Sequence, residues 1–576
     1  MFTIYKKLGW YFKQEKWRYI LFLFIVILCA YLMTLPAKLL GNALDLISSG
    51  QVDSQSLRVT VLQMAGVTIG IYVVMSLRNQ LHQQGSFKLQ YILRNQLMTY
   101  LSKMDAHYYN DHETGDLMAV ATQDVNFIMM AMGQILNQLI YCIFMLIFVL
   151  GQMILTISPK LTIVSIIPLP LATMAVYFVS RKLRNLFQAT REAFGNFNNT
   201  TLESVAGVQV VRAFVQEKND ISKLREAADE VKEKELRALR LDSAFGPIFR
   251  CVFSVSLVIG MICGVYYVFN REISAGNLVT FTLYLNQLRM PVFGLGMVMN
   301  RLQRANASYD RFEKVTSVNL KVEVPEHPLD LKEIDTIEFE DYSFRYPNSK
   351  FDSLSHVTFK IEKGQTVGIV GKTGSGKTTL IDQLFRFYQL GQGNFKINGE
   401  SVDQYDYMEV RKHFGYVPQD RFLFSKSVRD NIKLGHIGDV SEQQLMEAVR
   451  LADFEKDLKF LSNGLDTMCG EDGTMLSGGQ KQRLSIARAF ISDPEVLILD
   501  DALSAVDGST EARIVQNLKD TRKSKTTIII AHRLSAIQHA DQIIVLDDGR
   551  IVEMGNHESL LAQKGWYYQQ FTNQSL

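Results

Sequence analysis

The stretch TVGIVGKTGSGKTT, residues 366–379, decides the fold of the second half of the chain. Its first five residues form a short apolar run typical of a buried strand, and the run leads into the pattern G-x-x-x-x-G-K-[ST]. This pattern forms a loop whose backbone N–H groups surround phosphate oxygens at the start of a helix. The sequence therefore predicts a strand, a phosphate-binding loop and a helix, in this order.

The residues of this loop have separate predicted roles in binding a nucleoside triphosphate. The glycines let the backbone bend, Lys377 offers a positive charge to the terminal phosphates, and Thr378 offers its hydroxyl to Mg²⁺. Asp500 ends the apolar run VLILD and is predicted to hold the same metal ion. The predicted nucleotide-binding residues of the loop are Gly371, Lys372, Thr373, Gly374, Ser375, Gly376, Lys377, Thr378 and Thr379.

Two more apolar runs, at 496–500 and 526–530, alternate with helical segments in this half of the chain. Strands that are apolar along their whole length are typical of a mainly parallel sheet covered by helices. We therefore predict an α/β domain over residues 334–576, joined by a linker over 316–333 to a first domain over 1–315.

The first domain has the composition of a membrane protein. Lys and Arg residues cluster before its first apolar stretch and after its fourth and sixth, which predicts that both termini are cytoplasmic in a multi-pass protein of the cytoplasmic membrane. The six stretches, each long enough to cross about 30 Å of hydrocarbon, are 19–41, 59–77, 135–157, 161–180, 244–269 and 277–300.

Several predicted spans continue into charged segments that keep helical spacing. A helix over 57–105 would be on the order of 70 Å long, so it must project far into the cytoplasm. The breaks between paired extensions, at 107–116 and 210–218, then lie at the distal tips. These tips are either ordinary helix connections or docking elements for a cytoplasmic motor.

Overall charge and cysteine usage exclude some functions. The formal net charge of +2 gives no basic field of the size that a nucleic acid requires, so no nucleic-acid partner is predicted. The cysteines lie singly, without metal-ligand spacing, and are predicted to pack as small apolar residues. They are Cys29, Cys142, Cys251, Cys263 and Cys469.

The pentapeptide LSGGQ follows the phosphate loop and precedes Asp500. A serine and two glycines at a helix start make a second anion site with unobstructed donors. With these motifs the chain resembles the ATP-binding-cassette family, and six spans before one cassette resemble a half-transporter of the type I (type IV) exporters. The residues of this motif with an expected role in ATP binding are Ser477, Gly478, Gly479 and Gln480.

The resemblance covers nearly the whole chain and implies a fold and an activity. It implies an α-helical six-span domain followed by an α/β ATP-binding domain, with ATP and Mg²⁺ as cofactors and ATP hydrolysis coupled to transport. The tips at 107–116 and 210–218 would be coupling helices. The signature of one cassette would close on the ATP bound to the loop of another.

The resemblance also implies roles for single residues. Tyr346 would stack on adenine, Gln419 would link Mg²⁺ to the membrane domain, and His532 would contact the γ-phosphate. Glu471 resembles the element that touches the helix tips, and the segment 504–507 resembles the loop after the metal-binding strand.

One position departs from the family pattern. Members of the family usually have Glu directly after the metal-binding Asp, where it polarises the attacking water, whereas this chain has Asp501. Loss of one methylene withdraws the carboxylate by roughly 1.5 Å, and a misplacement of about 1 Å can cost on the order of 10²-fold in rate. Because the signature is intact, we expect a heterodimer whose partner carries the Glu, as in bacterial heterodimeric multidrug exporters. The alternative is a slow homodimer.

The sequence does not identify the substrate. Soft side chains in the spans suit amphipathic compounds in contact with membrane lipid, but lipid or peptide cargo and an ATP-gated channel or regulator are alternatives. A soluble cassette ATPase acting on nucleic acid is disfavoured by the spans. Arg289, inside the sixth span, is expected to face an aqueous cavity or an anionic partner.

Overall fold

The computed structural model describes residues 3–49, 54–318, 322 and 324–575. The chain forms two compact units. Unit 1 comprises Met1–Leu101 and Gly115–Val318, and unit 2 comprises Ser102–Thr114 and Asn319–Leu576. The short segment 102–114 lies in the first domain by sequence, yet it packs with the second unit.

Unit 1 is all-helical. One long helical run, from Thr114 to Ile157, contains π-helical turns at Val120–Asp124, Ala131–Ile135 and Met153–Ile157. In chain order the helices up to the end of this unit are α1 Thr3–Lys7, α2 Gly9–Gln14, α3 Lys16–Leu32, α4 Leu35–Ser48, α5 Ser54–Leu101, α6 Ala106–Asp111 (which belongs to unit 2), α7 Thr114–Ala119, α8 Val125–Met130, α9 Leu136–Gln152, α10 Pro159–Ile166, α11 Pro168–Ala206, α12 Val208–Ala213, α13 Glu217–Phe269, α14 Ala275–Gln287 and α15 Arg289–Thr316.

Among the described residues, four helical segments are long and apolar enough to cross a membrane: Lys16–Ser48, Arg58–Leu101, Thr114–Ile157 and Glu217–Phe269. They contain the first, second, third and fifth predicted spans. The fourth coincides with α10 and the start of α11, where the side chains of 169–177, 179 and 180 lie outside the described residues. The sixth is divided between α14 and α15, so the six-span count stays a prediction.

The helices of unit 1 differ in detail from the sequence prediction. The first span breaks after Leu32 because Pro36, in the first turn of α4, cannot continue the hydrogen bonding of α3. The helix predicted over 57–105 is α5, which has 48 residues and ends at Leu101. Arg289 begins α15 and is exposed.

Unit 2 contains two sheets. The larger has strand order β10-β9-β3-β8-β7-β6 and is parallel except for the β9–β10 pair, and the smaller is an antiparallel sheet of order β2-β1-β4-β5. The strands are β1 Thr336–Phe344, β2 Leu354–Glu362, β3 Thr366–Gly371, β4 Gln392–Ile397, β5 Glu400–Ser401, β6 Phe414–Val417, β7 Val496–Asp500, β8 Thr526–Ile530, β9 Gln542–Asp547 and β10 Arg550–Gly555.

The described residues of unit 2 form nine further α-helices, several of which pack against the parallel sheet. β7 and β8 are buried along their whole length, which is why their sequences contain no alternating polar residues. The helices are α16 Lys377–Leu384, α17 Tyr407–Lys412, α18 Val428–Lys433, α19 Glu442–Leu451, α20 Glu455–Leu458, α21 Gly478–Phe490, α22 Gly508–Thr521, α23 His557–Gln563 and α24 Trp566–Ser575.

The three strands predicted from sequence, at 366–370, 496–500 and 526–530, are therefore confirmed as β3, β7 and β8, and so is the mainly parallel sheet. The three are neighbours in the order β3-β8-β7. Their carboxyl ends meet at one edge, which is where ligands bind in open α/β sheets.

Candidate nucleotide site

The loop between β3 and α16 has the backbone shape that its glycines permit. Gly374 and Gly376 have φ angles of +83° and +98°, in the left-handed region where a side chain is strained. A Cβ at Gly376 would also lie 2.5 Å from the carbonyl oxygen of Ser353. The loop therefore depends on glycine at 376 for both conformation and space.

Lys377, the first residue of α16, is buried at the bottom of this loop. Its Nζ donates hydrogen bonds to the carbonyl oxygens of Gly371 at 2.9 Å and Lys372 at 2.8 Å. Burial lowers the pKa of Lys377, and the nearby carboxylates of Asp500 and Asp501 oppose this effect. The ammonium is thus held in place with acidic neighbours that do not fully compensate for its lost hydration.

A cavity of about 310 Å³ opens in front of the loop and gathers most of the predicted residues. It reaches the ends of β7 and β8 as well as the loop. Sequence analysis did not identify two of its lining residues, Ser353 and Ile530, because only the folded chain brings them to the loop. The predicted residues that line it are Tyr346, Thr373, Gly374, Gly376, Lys377, Thr378, Thr379, Gln419, Asp500, Asp501 and His532.

Three residues of the predicted loop do not line this cavity. Gly371 ends β3, and Ser375 is buried with its hydroxyl oxygen unpartnered among the described residues. Lys372 points elsewhere, because its Nζ forms an ion pair with Asp547 at 2.9 Å and its side chain is exposed. The two lysines of the loop therefore differ in direction and burial.

Asp500, at the end of β7, carries a buried oxygen without a partner. The residue is 2% exposed, and its Oδ2 has no hydrogen-bond partner within the described chain. Burial raises the pKa of Asp500, the neighbouring Asp501 raises it further, and a hydrogen bond from Thr378 acts in the opposite direction. A carboxylate, a hydroxyl and the amide of Gln419 in one cavity are the oxygen donors that a hard divalent cation prefers.

Tyr346 lines the cavity, and both its hydroxyl and its ring contact neighbouring side chains. Its hydroxyl donates a hydrogen bond to Asp382 Oδ2 at 2.9 Å and lies 3.1 Å from the Thr379 hydroxyl oxygen. Its ring packs edge-on against Phe344 and Tyr388, with centroid distances of 5.1 and 5.0 Å. Burial raises the pKa of Asp382 to about 6. Asp382 is not recognisable from sequence alone, because its contact with Tyr346 depends on how α16 packs in the fold.

His532 follows β8 and is held through its backbone by the last helix. The Gln574 side chain donates to the carbonyl oxygen of His532 at 2.9 Å and accepts from the N–H of Leu534 at 2.9 Å. The imidazole itself is exposed and lines the cavity. One amide from α24 thus spans the turn that carries the histidine.

Asp501 stands at the boundary of two cavities. It lines the loop cavity and also a second cavity of about 600 Å³, whose lining includes Gln419 and Gly478. Its φ angle is +48°, a conformation that Asp tolerates better than most residues, and its N–H donates to the Ile530 carbonyl oxygen at 3.0 Å. The backbone of Asp501 is thereby fixed at the end of the sheet.

The LSGGQ segment forms the start of α21. Ser477 is the N-cap: its hydroxyl accepts from the Gln480 N–H at 3.3 Å, and the Gln480 amide oxygen accepts from the Ser477 N–H at 2.9 Å. This reciprocal capping box satisfies two terminal donors. Ser477, Gly478 and Gly479 do not line the loop cavity, and Ser477 and Gly478 are exposed.

Comparison with known proteins gives the family. A family described as "ABC transporter transmembrane region" matches residues 19–292, and one described as "ABC transporter" matches residues 354–504. The chain is 42% identical over 578 residues to "Probable multidrug resistance ABC transporter ATP-binding/permease protein YheI" of Bacillus subtilis, covering 100% of this chain and 98% of that protein. This chain belongs to the ABC transporter family.

Other relatives agree with this assignment. "Multidrug resistance-like ATP-binding protein MdlA" of Escherichia coli is 32% identical over 573 residues, covering 100% of this chain and 97% of that protein. Among solved structures, "Structure of a bacterial Atm1-family ABC exporter with ATP bound" matches with a TM-score of 0.79 at 26% identity, covering 98% of this chain and 100% of the other.

The family assignment confirms the fold class and the reaction type. An ABC transporter of this kind has a helical transmembrane domain followed by an α/β nucleotide-binding domain, and it is a membrane-bound exporter of the multidrug or lipid type whose ATP hydrolysis is coupled to transport.

Proposed function

We propose that this ABC transporter chain is one subunit of a heterodimeric exporter of amphipathic compounds, and that its own ATP site binds nucleotide but hydrolyses it slowly. The observation that carries the proposal is Asp501, which lines the loop cavity where the family usually has Glu. A shorter carboxylate fixed on the end of β7 cannot reach as far toward an attacking water.

ATP would occupy the loop cavity with its phosphates over Lys377 and its base on Tyr346. Mg²⁺ fits the buried Oδ2 of Asp500, which has no partner among the described residues. Thr378 and Gln419 line the same cavity and would supply further oxygen donors. Burial, and after it the charge of Asp501, raises the pKa of Asp500, and a bound cation would oppose both effects by stabilising the carboxylate. His532 would contact the γ-phosphate from the end of β8.

The signature supports a site completed by a second chain. Ser477 and Gly478 are exposed at the start of a helix of 13 residues, outside this chain's own loop cavity. The helix N-terminus can therefore donate to a phosphate that another chain brings. An intact signature beside a short Asp501 favours a heterodimer over a homodimer, because a homodimer would carry the slow carboxylate twice.

The two tips of the long helices also favour a second chain. Ser102–Thr114 packs within unit 2, whereas the tip at α12 and the turn after it expose large apolar side chains. Val210, Phe214 and Val215 are 62%, 72% and 79% exposed. Apolar side chains with this exposure favour docking on another surface, for which the partner's nucleotide-binding domain is the natural candidate. We propose both tips as coupling helices.

The substrate class is proposed from the relatives and the membrane half. Relatives over the full chain are described as multidrug transporters, and one over 85% of this chain, from Idiomarina loihiensis, as an "ATP-dependent lipid A-core flippase". Amphipathic compounds reaching the protein from membrane lipid fit both descriptions. Lipid cargo is the second candidate, and both termini are proposed to be cytoplasmic.

ATP-dependent uptake into inverted membrane vesicles tests the proposal. Vesicles containing this chain and its partner should accumulate ethidium against its gradient when ATP is supplied. The vesicles should not do so when the partner's catalytic Glu is replaced by Gln. Equilibration of ethidium without accumulation would indicate an ATP-gated channel, and ATP-dependent movement of a fluorescent phospholipid with no ethidium uptake would indicate a lipid exporter.

A further inference from the structure

The segment Ser102–Thr114, which contains α6, packs directly beside the loop that carries Tyr346. Within unit 2 the N–H of Ala106 donates to the Phe387 carbonyl oxygen at 3.1 Å, and Asn110 Nδ2 donates to the Tyr388 hydroxyl at 2.8 Å. Asn348, two residues after Tyr346, donates to Asp111 Oδ1 at 2.8 Å. These hydrogen bonds join the short segment to the nucleotide-binding fold.

Tyr388 connects this segment to the side chain expected to hold the base. It is 7% exposed, and its ring stands at 82° to the ring of Tyr346 with centroids 5.0 Å apart. Its hydroxyl accepts the hydrogen bond from Asn110. Phe344 contacts both rings, at 5.1 Å from Tyr346 and 6.0 Å from Tyr388.

The three rings contact one another, but only Phe344 and Tyr388 are buried, whereas Tyr346 is partly exposed and lines the loop cavity. Edge-to-face aromatic contacts have preferred geometries, and buried side chains have no free volume into which one ring can move alone. A base stacked on Tyr346 would fix the orientation of that ring. Tyr388 would be fixed in turn, and with it the hydroxyl that holds Asn110.

We propose that Tyr388 is a positioning residue that reports the occupied base site to the α6 tip, independently of Gln419 and the phosphates. The inference rests on the proposed role of Tyr346 in binding adenine. Asn348 supplies a second link, because it belongs to the same loop as Tyr346 and holds Asp111. Since the chain passes from Leu101 of α5 through this tip to Thr114 of α7, the tip is the point from which the long helices receive the signal.

The test is hydrogen–deuterium exchange of the tip peptide 102–114 in the full two-chain exporter, with and without ATP and Mg²⁺. In the unmodified protein, ATP should slow the exchange. Tyr388→Phe keeps the ring contact with Tyr346 but removes the hydroxyl that Asn110 needs. With ATP bound, the tip should then exchange about two- to tenfold faster than in the unmodified protein, which is the cost of one hydrogen bond. Tyr568→Phe, on α24 and partly exposed, is the matched control and should change nothing.

A double-mutant cycle separates this role from simple docking. Asn110→Ala and Tyr388→Phe should each reduce the effect of ATP, and the two together should be no worse than one alone, because both remove the same hydrogen bond. Faster exchange by the same factor with and without ATP would mean that Tyr388 only docks the tip, and the proposal would be overturned. An unchanged response to ATP would overturn it as well.

Tyr346→Ala distinguishes failure of this inference from failure of the proposed base site. It should abolish both photolabelling of this chain by 8-azido-ATP and the ATP-dependent slowing at the tip. If labelling persists unchanged, Tyr346 does not hold the base and the proposed site is wrong. If labelling falls in Tyr346→Ala while Tyr388→Phe keeps the full response, the site stands and only the link through Tyr388 is wrong.

Discussion

The start of α16 and the start of α21 are both glycine-rich helix N-termini, yet their surroundings are opposite. At α16 the helix end is enclosed, with the buried charges of Lys377 and Asp500 beside it and one carboxylate oxygen that has no partner among the described residues. At α21 the helix end is exposed, and Ser477 and Gln480 satisfy each other. At α16 the buried charges destabilise the empty site, and a bound ligand would remove this cost. The helix end at α21 is stable alone and keeps donors available to a second chain.

The largest effect should come from breaking the exposed helix end. Gly478→Asp places a carboxylate where the proposed partner's γ-phosphate would lie, so repulsion and steric exclusion act together. Steady-state ATPase of the two-chain exporter should fall by about 100-fold or more. Photolabelling of this chain by 8-azido-ATP should persist, since its own loop is intact. Near-normal turnover would mean that this helix end does not contribute to a hydrolysing site.

A smaller effect should come from breaking the enclosed helix end. Lys377→Ala removes the buried ammonium that would bind the terminal phosphates, and nucleotide binding at this chain's site should weaken about 10- to 100-fold, the value of one or two charged hydrogen bonds. Lys372→Ala is the matched control, because that lysine is exposed and paired with Asp547. The ATP affinity of the Lys372→Ala variant should change less than about twofold. Equal losses in ATP titrations of the two variants would refute the distinction between the two lysines.

The smallest effect concerns stability, through the partly buried carboxyl group of Asp382. Burial raises the pKa of Asp382 to about 6 from its ordinary value of 3.8. The folded state therefore binds this proton more tightly than the unfolded state. The stability that results is fully present below about pH 4 and is lost as the pH rises through about 6. Asp382→Asn should raise the free energy of unfolding at pH 8 by no more than about 3 kcal/mol.

The pH dependence of this difference is the decisive part. Without nucleotide, the unfolding midpoints of the Asp382→Asn variant and the unmodified protein should coincide below about pH 4 and separate as the pH rises to about 6. Asn keeps an oxygen that can accept the hydrogen bond from Tyr346, so this contact is not lost. A difference that is constant across this pH range would contradict the assigned cause.

Sequence reasoning succeeded where a pattern is local. β3, β7 and β8 were predicted because strands buried on both faces must be apolar throughout, and the loop before α16 because its glycines are needed at fixed places. Ser353, Asp382 and Gln574 could not be predicted, since each acts through a partner distant in the sequence. The antiparallel sheet was missed for another reason: β1 and β2 alternate between more and less buried positions, so they lack the continuous apolar runs that located β3, β7 and β8.

In the helical half, composition located apolar stretches but not the contacts of single side chains. Arg289 was the anomaly noticed in the sequence, yet it is exposed. Arg78, one residue beyond the second predicted span, is instead buried, with its guanidinium 5.4 Å from the centroid of the Tyr141 ring. The assignment of 102–114 to unit 2 was equally invisible, because it depends on Phe387 and Tyr388 of that unit.

If the enclosed site of this chain holds ATP while the exposed signature serves another site, substitutions at Asp501 and at the partner's catalytic Glu should have unequal effects. Steady-state ATPase of the purified two-chain exporter should be measured for Asp501→Ala, for the partner's catalytic Glu replaced by Gln, and for Asp501→Glu in the background of that partner variant. Asp501→Ala should reduce total ATPase far less than the partner variant. Asp501→Glu should restore part of the lost activity by extending the carboxylate toward the water. Equal collapse from Asp501→Ala and from the partner's Glu→Gln would show that both sites hydrolyse and would contradict the asymmetric account.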